Sequence, residues 1–93
     1  MNKPRTIDRR NAAIGGRIRQ ARIDAKRSRF DLSVLLGCNL ANVGHIEMGR
    51  CTISGPDVAI IATALGVSTD YLLTGSERRP ANAPVPAEVA NVA

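Results

Sequence analysis

The chain has 93 residues, of which 44% are hydrophobic, and carries a formal net charge of +5. A chain of this length makes one small domain plus tails and buries only ~60 to 65% of its unfolded surface, which excludes a large catalytic cleft. No apolar run approaches the ~18 residues that a membrane span needs. One Tyr, one Phe and no Trp leave little aromatic surface for stacking single-stranded bases.

The charge is distributed unevenly along the chain. Residues 1–29 carry ten Lys or Arg against two Asp, whereas residues 30–93 carry three Arg against six acidic side chains. This asymmetry indicates that one side of the molecule meets a polyanion, and the scarcity of aromatic residues favours duplex DNA. A solvated basic helix face is the alternative interpretation.

The two cysteines, Cys38 and Cys51, match no metal-ligand spacing. Since no signal peptide accompanies them, we expect reduced thiols in a cytoplasmic, nucleoid-associated protein. We expect neither a metal nor any other cofactor.

The first segments predict a basic arm followed by a helix. Residues 1–10 are expected to form the arm or the start of helix one. Thr6 is a potential N-cap, but Gly15 and Gly16 each weaken a helix by roughly 1 kcal/mol relative to Ala. These glycines favour a start at Asn11 or later, and the most regular helical pattern covers 14–26.

Residues 28–49 contain two short helical patterns around one tight glycine turn, which is the sequence form of a helix-turn-helix. Ser28 predicts the N-cap of the first helix, over 29–36, with Asp31 as its capping-box partner and Gly37 at its end. Three leucines at helical spacing are expected to face the core: Leu32, Leu35 and Leu36.

The second helix of this motif is predicted over 40–47. Asn39 is its expected N-cap, Val43 and Ile46 face inward, and Gly49 suits a left-handed C-terminal position. Because two helices this short cannot bury themselves, they need a scaffold, and their exposed edge suits a groove.

Two further helices complete the predicted domain, 11–75. The fourth begins near Ser54 with Pro56 in its first turn and ends at Gly66. Ser68 caps a short fifth helix that Gly75 ends, and its large side chains are Tyr71, Leu72 and Leu73. The Ala/Pro-rich tail, 76–93, has no regular apolar face and is predicted to be disordered or a linker.

The region from Ile14 to Gly75 resembles the lambda-repressor and Cro type of helix-turn-helix domain, also called the xenobiotic-response-element family. Four segments in order and spacing carry the resemblance: IGGRIRQAR at 14–22, LSVLLG at 32–37, VGHIEMG at 43–49 and IATALGVSTDYLLTG at 61–75. The resemblance implies a compact, all-α, five-helix domain whose third helix lies in the major groove and whose second helix crosses the phosphate backbone.

The resemblance also assigns an ion pair. Arg22 matches a first-helix arginine and Glu47 a third-helix glutamate, which often pair across the two helices. This pair would be structural, because removing one member would leave the other charge partly buried and alone. The alternative is that Glu47 is a catalytic acid, but the sequence offers no second acid or nucleophile to act with it.

The family's base-facing positions fall on Leu40, Ala41, Asn42 and His45, although the family often has Gln or Arg at the first two. Leu40 and Ala41 can contact thymine methyl groups, while Asn42 and His45 can hydrogen-bond base edges. Two alternatives stay open: Leu40 packs inward, or His45 binds a metal, for which a single His is weak evidence.

Phosphate contacts are expected around this helix. Arg29 occupies the first turn of helix two, where the family commonly has Gln, and a cation there would hold a phosphate. Asn39, Arg50 and Thr52 are further candidates. The arm either wraps the duplex or stays solvated, and its cations are Lys3, Arg5, Arg9 and Arg10.

We therefore expect a sequence-specific double-stranded DNA-binding transcriptional regulator, a repressor of the phage or mobile-element kind, and not an enzyme. A short helix reads few base pairs, so a homodimer is expected, with helix five as its contact unless that helix only closes the monomer core. Two alternatives remain: an antitoxin whose tail binds a toxin partner, and a protein-interaction adaptor that has lost DNA binding.

Overall fold

A computed structural model describes residues 8–76 of the chain. Within that range there are no strands, and the five helices are α1 (Arg9–Asp24), α2 (Arg29–Leu36), α3 (Leu40–Met48), α4 (Gly55–Leu65) and α5 (Thr69–Thr74). The predicted all-α fold with a helix-turn-helix is confirmed. Most of the predicted arm and the tail beyond Ser76 lie outside the described residues. No helix in the described part is long and apolar enough to cross a membrane.

Polar N-caps set the helix starts. The predicted caps Ser28, Asn39 and Ser68 are confirmed, since each side chain accepts a backbone N–H from the first turn of its helix. The expected start of helix one at Asn11 or later is wrong. The carboxylate of Asp8 accepts the backbone N–H of Arg10 at 2.8 Å and that of Asn11 at 3.2 Å. Asp8 is thus the N-cap, and the helix begins at Arg9, two residues before the expected start.

The hydrophobic core takes one fully buried large side chain from each helix: Ile18, Leu32, Val43, Ile61 and Leu72. Burial of such a side chain stabilises the fold by roughly 1.5 to 3 kcal/mol relative to exposure. Because the five side chains meet in one cluster, the two helices of the helix-turn-helix are held by the other three.

Two predicted side-chain positions need correction. Leu35 does not face the core but lies at the outer edge of α2, where it lines an open groove with Ile60 of α4. Leu72 of α5 is fully buried, so it closes the monomer core and cannot contact a second subunit. Leu73 beside it is exposed.

Helix α1 packs more extensively on α3 than on any other helix of the described region, and a glycine makes the approach possible. A Cβ at Gly15 would lie 2.7 Å from the carbonyl oxygen of Glu47 and closer still to that of Ile46. Real Cβ atoms do not approach a backbone oxygen so closely. Gly15 is therefore required by the contact, although its sequence position indicates only a weakened helix.

A second glycine, on α3's side of the contact with α1, also allows the two backbones to approach closely. Gly49 ends α3 in the left-handed conformation, with φ of 79°, and a Cβ there would lie 2.8 Å from the Cβ of Ala12 on α1. The carbonyl of Gly49 also accepts the backbone N–H of Asp8 at 3.3 Å. Helix α3 is thus held to α1 by backbone contacts along its C-terminal half.

We predict that Gly15→Ala strongly destabilises the fold, because the added methyl forces α1 away from the backbone of α3. Gly16→Ala is the matched control: nothing lies within 4 Å of a Cβ at that position. The control variant should gain up to about 1 kcal/mol from its higher helix propensity. Chemical denaturation of the two variants measures the difference, and equal stabilities would contradict the close-packing account.

The capping box of α2 gives a pH-dependent contribution to stability. The backbone N–H of Ser28 donates to the Asp31 carboxylate at 2.9 Å, and the Ser28 hydroxyl accepts the Asp31 backbone N–H at 3.0 Å. The backbone N–H of Ser28, and then its hydroxyl, hold the pKa of the Asp31 carboxyl below its ordinary value. Hydrogen bonds to the ionised form have this effect.

We therefore predict that Asp31→Ala is less stable than the parent chain at neutral pH. The contribution of Asp31 is fully present above its unfolded-state pKa of about 3.9 and is lost as the pH falls through the lower pKa of the folded state. Denaturation curves of the two proteins should converge below about pH 4. A stability difference that persists unchanged in acid would contradict this assignment.

Candidate nucleic-acid interface

The outward face of α3 is the candidate interface. Val43 and Ile46 are buried against the core, as predicted. Ala41 and Asn42 are exposed on the side away from the core. Leu40 is 51% exposed, so the alternative in which it packs inward is wrong. The four expected base-facing residues therefore lie together on the first two turns of one helix.

A buried carboxylate lies behind this face. Arg22 Nε lies 2.7 Å from Glu47 Oε2, and the Glu47 side chain is 1% exposed while that of Arg22 is 11% exposed. The family-implied pair is thus present as a two-point contact, with Arg22 Nη2 donating to Oε1 at 3.3 Å. Because the carboxylate is enclosed, Glu47 cannot reach a substrate, which removes the basis of its alternative role as a catalytic acid.

Arg29 also contacts Glu47, which sequence reasoning missed. Its Nε lies 3.2 Å from Glu47 Oε1, and its side chain remains 47% exposed. From the sequence, Arg29 was expected only to bind a DNA phosphate. In the structure it is also a second partner of the buried Glu47 carboxylate. Two guanidinium groups around one carboxylate leave a formal surplus of one positive charge at the C-terminal end of α3.

We predict that Arg22→Ala costs on the order of 3 kcal/mol of unfolding free energy, because it leaves Glu47 buried with a half-exposed partner only. Arg29→Ala should cost under about 1 kcal/mol, as exposed ion pairs do. Urea denaturation of both variants tests the ranking. Adding Glu47→Gln to Arg22→Ala removes the unpaired charge and should restore part of the loss; no recovery would show that packing, not charge, holds Arg22.

The remaining candidates for phosphate contacts differ in whether their side chains already bond within the protein. Asn39 Oδ1 accepts the Asn42 backbone N–H at 2.8 Å, so its side-chain acceptor is used by the helix cap. The Thr52 hydroxyl accepts from Asn11 Nδ2 at 3.4 Å. The Arg50 side chain is exposed in the loop after α3, and no ion pair to it occurs within residues 8–76.

One of the cations counted in the basic segment has an internal role. Arg17 Nε donates to the Leu72 carbonyl at 2.9 Å and Nη2 to the Leu73 carbonyl at 3.0 Å. These carbonyls at the end of α5 have no helical partner, and a cation there also complements the helix dipole. Arg17 therefore braces α1 against α5.

One ring nitrogen of His45 is buried. Its Nδ1 is buried and has no hydrogen-bond partner among the described residues. No group of three or more possible metal ligands occurs in the described part of the chain.

An open cleft of about 870 Å³ runs between the start of α2 and α3. Besides the predicted site residues, its lining includes Ser28, which the sequence predicted only as a helix cap, and three residues that were not predicted at all: Phe30, Gly44 and Met48. Helical spacing was an available signal, since Gly44 and Met48 follow Leu40 by four and eight residues. Phe30 comes from another helix, so no spacing rule connects it to α3.

Comparisons with known proteins agree with this geometry. Residues 13–74 match the family described as "Helix-turn-helix domain". The restriction-modification controller protein C.AhdI from Aeromonas hydrophila is 30% identical, with a TM-score of 0.59 over 66% of this chain and 92% of that chain. A hypothetical transcription factor, NHTF, from Neisseria is 22% identical, with a TM-score of 0.63 over 99% of this chain and 98% of that chain, a likeness of fold alone. No match was found among curated protein sequences.

Proposed function

Because the chain belongs to the helix-turn-helix domain family and is a DNA-binding transcription regulator of the lambda-repressor and Cro type, we propose that it reads an operator half-site with the outward face of α3. In this arrangement α3 enters the major groove and the start of α2 approaches the phosphate backbone. The protein acts as a repressor by occupying the operator. The similarity to a restriction-modification controller supports a regulatory role.

The observation that carries the proposal is the exposed face of α3 beside a positive surplus. Asn42 is exposed and His45 half-buried on this face, while Arg29 and Arg50 lie near the C-terminal end of the helix. Cations near a groove-reading helix hold phosphates and set its register, whereas side chains on the helix face meet base edges. The two groups of residues thus have separate tasks.

His45 and Asn42 are the hydrogen-bonding readers in this proposal. With Nδ1 of His45 buried, Nε2 is the nitrogen available to a base edge, and in this proposal it acts as the hydrogen-bond donor. His45 therefore selects a major-groove acceptor: N7 or O6 of guanine, N7 of adenine or O4 of thymine. Asn42 carries both a donor and an acceptor, which suits adenine.

Useful specificity requires two copies of the domain. A helix of nine residues reads few base pairs, and related domains bind as dimers to half-sites about 34 Å apart. We propose a homodimer on the operator. The candidates for its contact are apolar side chains that are exposed away from α3: Leu35, Ile60 and Leu73.

We predict that two classes of variant distinguish base-specific contacts from phosphate contacts. Asn42→Ala and His45→Ala should relax preference at particular base pairs by ~1 to 3 kcal/mol for a good contact. Arg50→Ala and Arg29→Ala should weaken every duplex by a similar factor and lower the slope of log affinity against log salt by ~0.9 for each lost phosphate contact. The measurement is equilibrium binding to a duplex selected from a random pool and to its scrambled counterpart.

Arg50→Ala tests the phosphate contacts more directly than Arg29→Ala, because Arg29 also contacts Glu47. Arg19→Ala, an exposed cation on α1, provides a control for a general loss of charge. Equal weakening of both duplexes by Asn42→Ala and His45→Ala would contradict direct readout by α3. An affinity that does not change with salt would contradict the phosphate contacts.

A further inference from the structure

We propose that the cleft between the start of α2 and α3 also binds an acidic amphipathic helix of another protein, which displaces DNA and so regulates the domain. The binding of this partner follows from the surface of the cleft itself, whereas its regulatory effect rests on the proposed function. The side chains exposed in the cleft are of the types that protein–protein interfaces favour.

Three large apolar side chains are exposed around the cleft. Phe30 on α2 is 64% exposed, and Leu40 and Met48 on α3 are 51% and 43% exposed. Aromatic residues, Met and Arg are enriched in protein–protein interfaces. Interfaces with DNA are more polar and owe a large share of their affinity to phosphate contacts, which apolar side chains do not make. The apolar part of the cleft therefore has a better match in a protein segment than in a DNA backbone.

The spacing of these side chains fits a helical partner. Leu40 and Met48 are eight residues apart on α3, which corresponds to about 12 Å along a helix axis, and Phe30 adds to the same cleft from α2. An amphipathic helix with apolar side chains at positions i, i+4 and i+7 spans a similar length and lays them into a groove of this kind. Two turns of a partner helix are therefore sufficient to cover the apolar strip.

The cationic edge of the cleft requires an acidic partner. Arg22 is fully engaged, because Nε and Nη2 contact Glu47 and Nη1 donates to the Arg27 carbonyl at 3.0 Å. Arg29 donates only through Nε, and its two Nη groups have no hydrogen-bond partner within residues 8–76. A purely apolar segment would remove this surplus charge from water without compensation, which is costly. A carboxylate compensates it, since its two oxygens accept paired N–H donors from one guanidinium.

Partner and DNA exclude each other on this surface. Arg29 is a proposed phosphate contact, and His45, a proposed base reader, also lines the cleft. A helix that lies on Leu40 and Met48 covers the outward face of α3, and its carboxylate takes the place of a phosphate at Arg29. Binding of the partner therefore lowers the occupancy of the operator.

The test selects ligands for the full chain from a library of displayed helical peptides, in the absence of DNA. Each peptide carries apolar residues at i, i+4 and i+7, and its flanking positions vary among Glu, Gln and Lys. We expect the recovered peptides to carry Glu on one flank. A synthetic copy of a recovered peptide in which Gln replaces that Glu should bind about tenfold more weakly, because it loses a charge-assisted hydrogen bond.

Variants of the chain locate the binding site. Phe30→Ala and Met48→Ala should each weaken the peptide about tenfold, as truncation of an interface anchor does. Arg29→Ala should abolish the preference for Glu over Gln. Val34→Ala is the matched apolar control, because Val34 is 65% exposed on α2 but does not line the cleft, and it should leave the peptide affinity unchanged. Thermal melting verifies that each variant is folded.

Competition with DNA tests the regulatory effect. A labelled duplex that the chain selects from a random pool is titrated with the recovered peptide, which should displace it. The Gln copy of the peptide should require about tenfold higher concentrations. Arg50→Ala gives the converse result: it weakens the duplex but leaves the peptide affinity unchanged, because Arg50 lies in the loop after α3 and does not line the cleft.

The partner site is wrong if no peptide is recovered, if the recovered peptides show no excess of Glu, or if Phe30→Ala and Met48→Ala bind them as the parent chain does. Simultaneous binding of peptide and duplex overturns the displacement of DNA. A change in self-association of Phe30→Ala, without a change in peptide affinity, makes the cleft a contact between copies of this chain. A parent chain that binds the peptide but no duplex retains the partner site and loses the proposed function.

Discussion

The close backbone approach of α1 and α3 is the constraint on which the rest of the structure depends. At Gly15 no side chain separates α1 from the carbonyls of Ile46 and Glu47, and Gly49 closes the same contact from the side of α3. Van der Waals contact between two backbones leaves little room for one helix to slide or rotate on the other. The outward face of α3 is therefore presented at a fixed angle by a rigid scaffold, as the proposed readout of base edges requires.

The packing of α1 on α3 is accompanied by a buried ion-pair network around Glu47. Glu47 lies on the inner side of α3 and needs a cation, which Arg22 supplies from α1 and Arg29 from the start of α2. One carboxylate thus joins three helices. The arrangement also lowers the number of cations that are free to meet DNA, because Arg17 and Arg22 are engaged inside the domain. The net charge of the N-terminal third consequently overstates the electrostatic surface available for binding.

The recognition surface combines few hydrogen-bonding groups with much apolar area. Asn42 and His45 are the proposed hydrogen-bonding readers, and Nδ1 of His45 is buried. Phe30, Leu40 and Met48 line one cleft with His45 and are exposed apolar groups. On a protein that meets only water this exposure would be unfavourable, so the composition fits a surface that is covered by a partner.

The sequence by itself determined the features that depend on neighbours within one turn. Caps such as Ser28 and Asn39, and helix ends at Gly37 and Gly49, follow from local hydrogen bonding and backbone sterics. The order and spacing of the motifs were sufficient for the family, its fold and the pairing of Arg22 with Glu47.

Tertiary structure decided what depends on distance between helices. Gly15 has the same local propensity as Gly16, and only the approach of α3 makes the first indispensable and leaves the second open. The second contact of Arg29 with Glu47, the inward burial of Leu72 and the contribution of Phe30 to the cleft are of the same kind. Helical periodicity gives the direction of a side chain about its own axis, but the angle at which two helices cross decides which side chains meet.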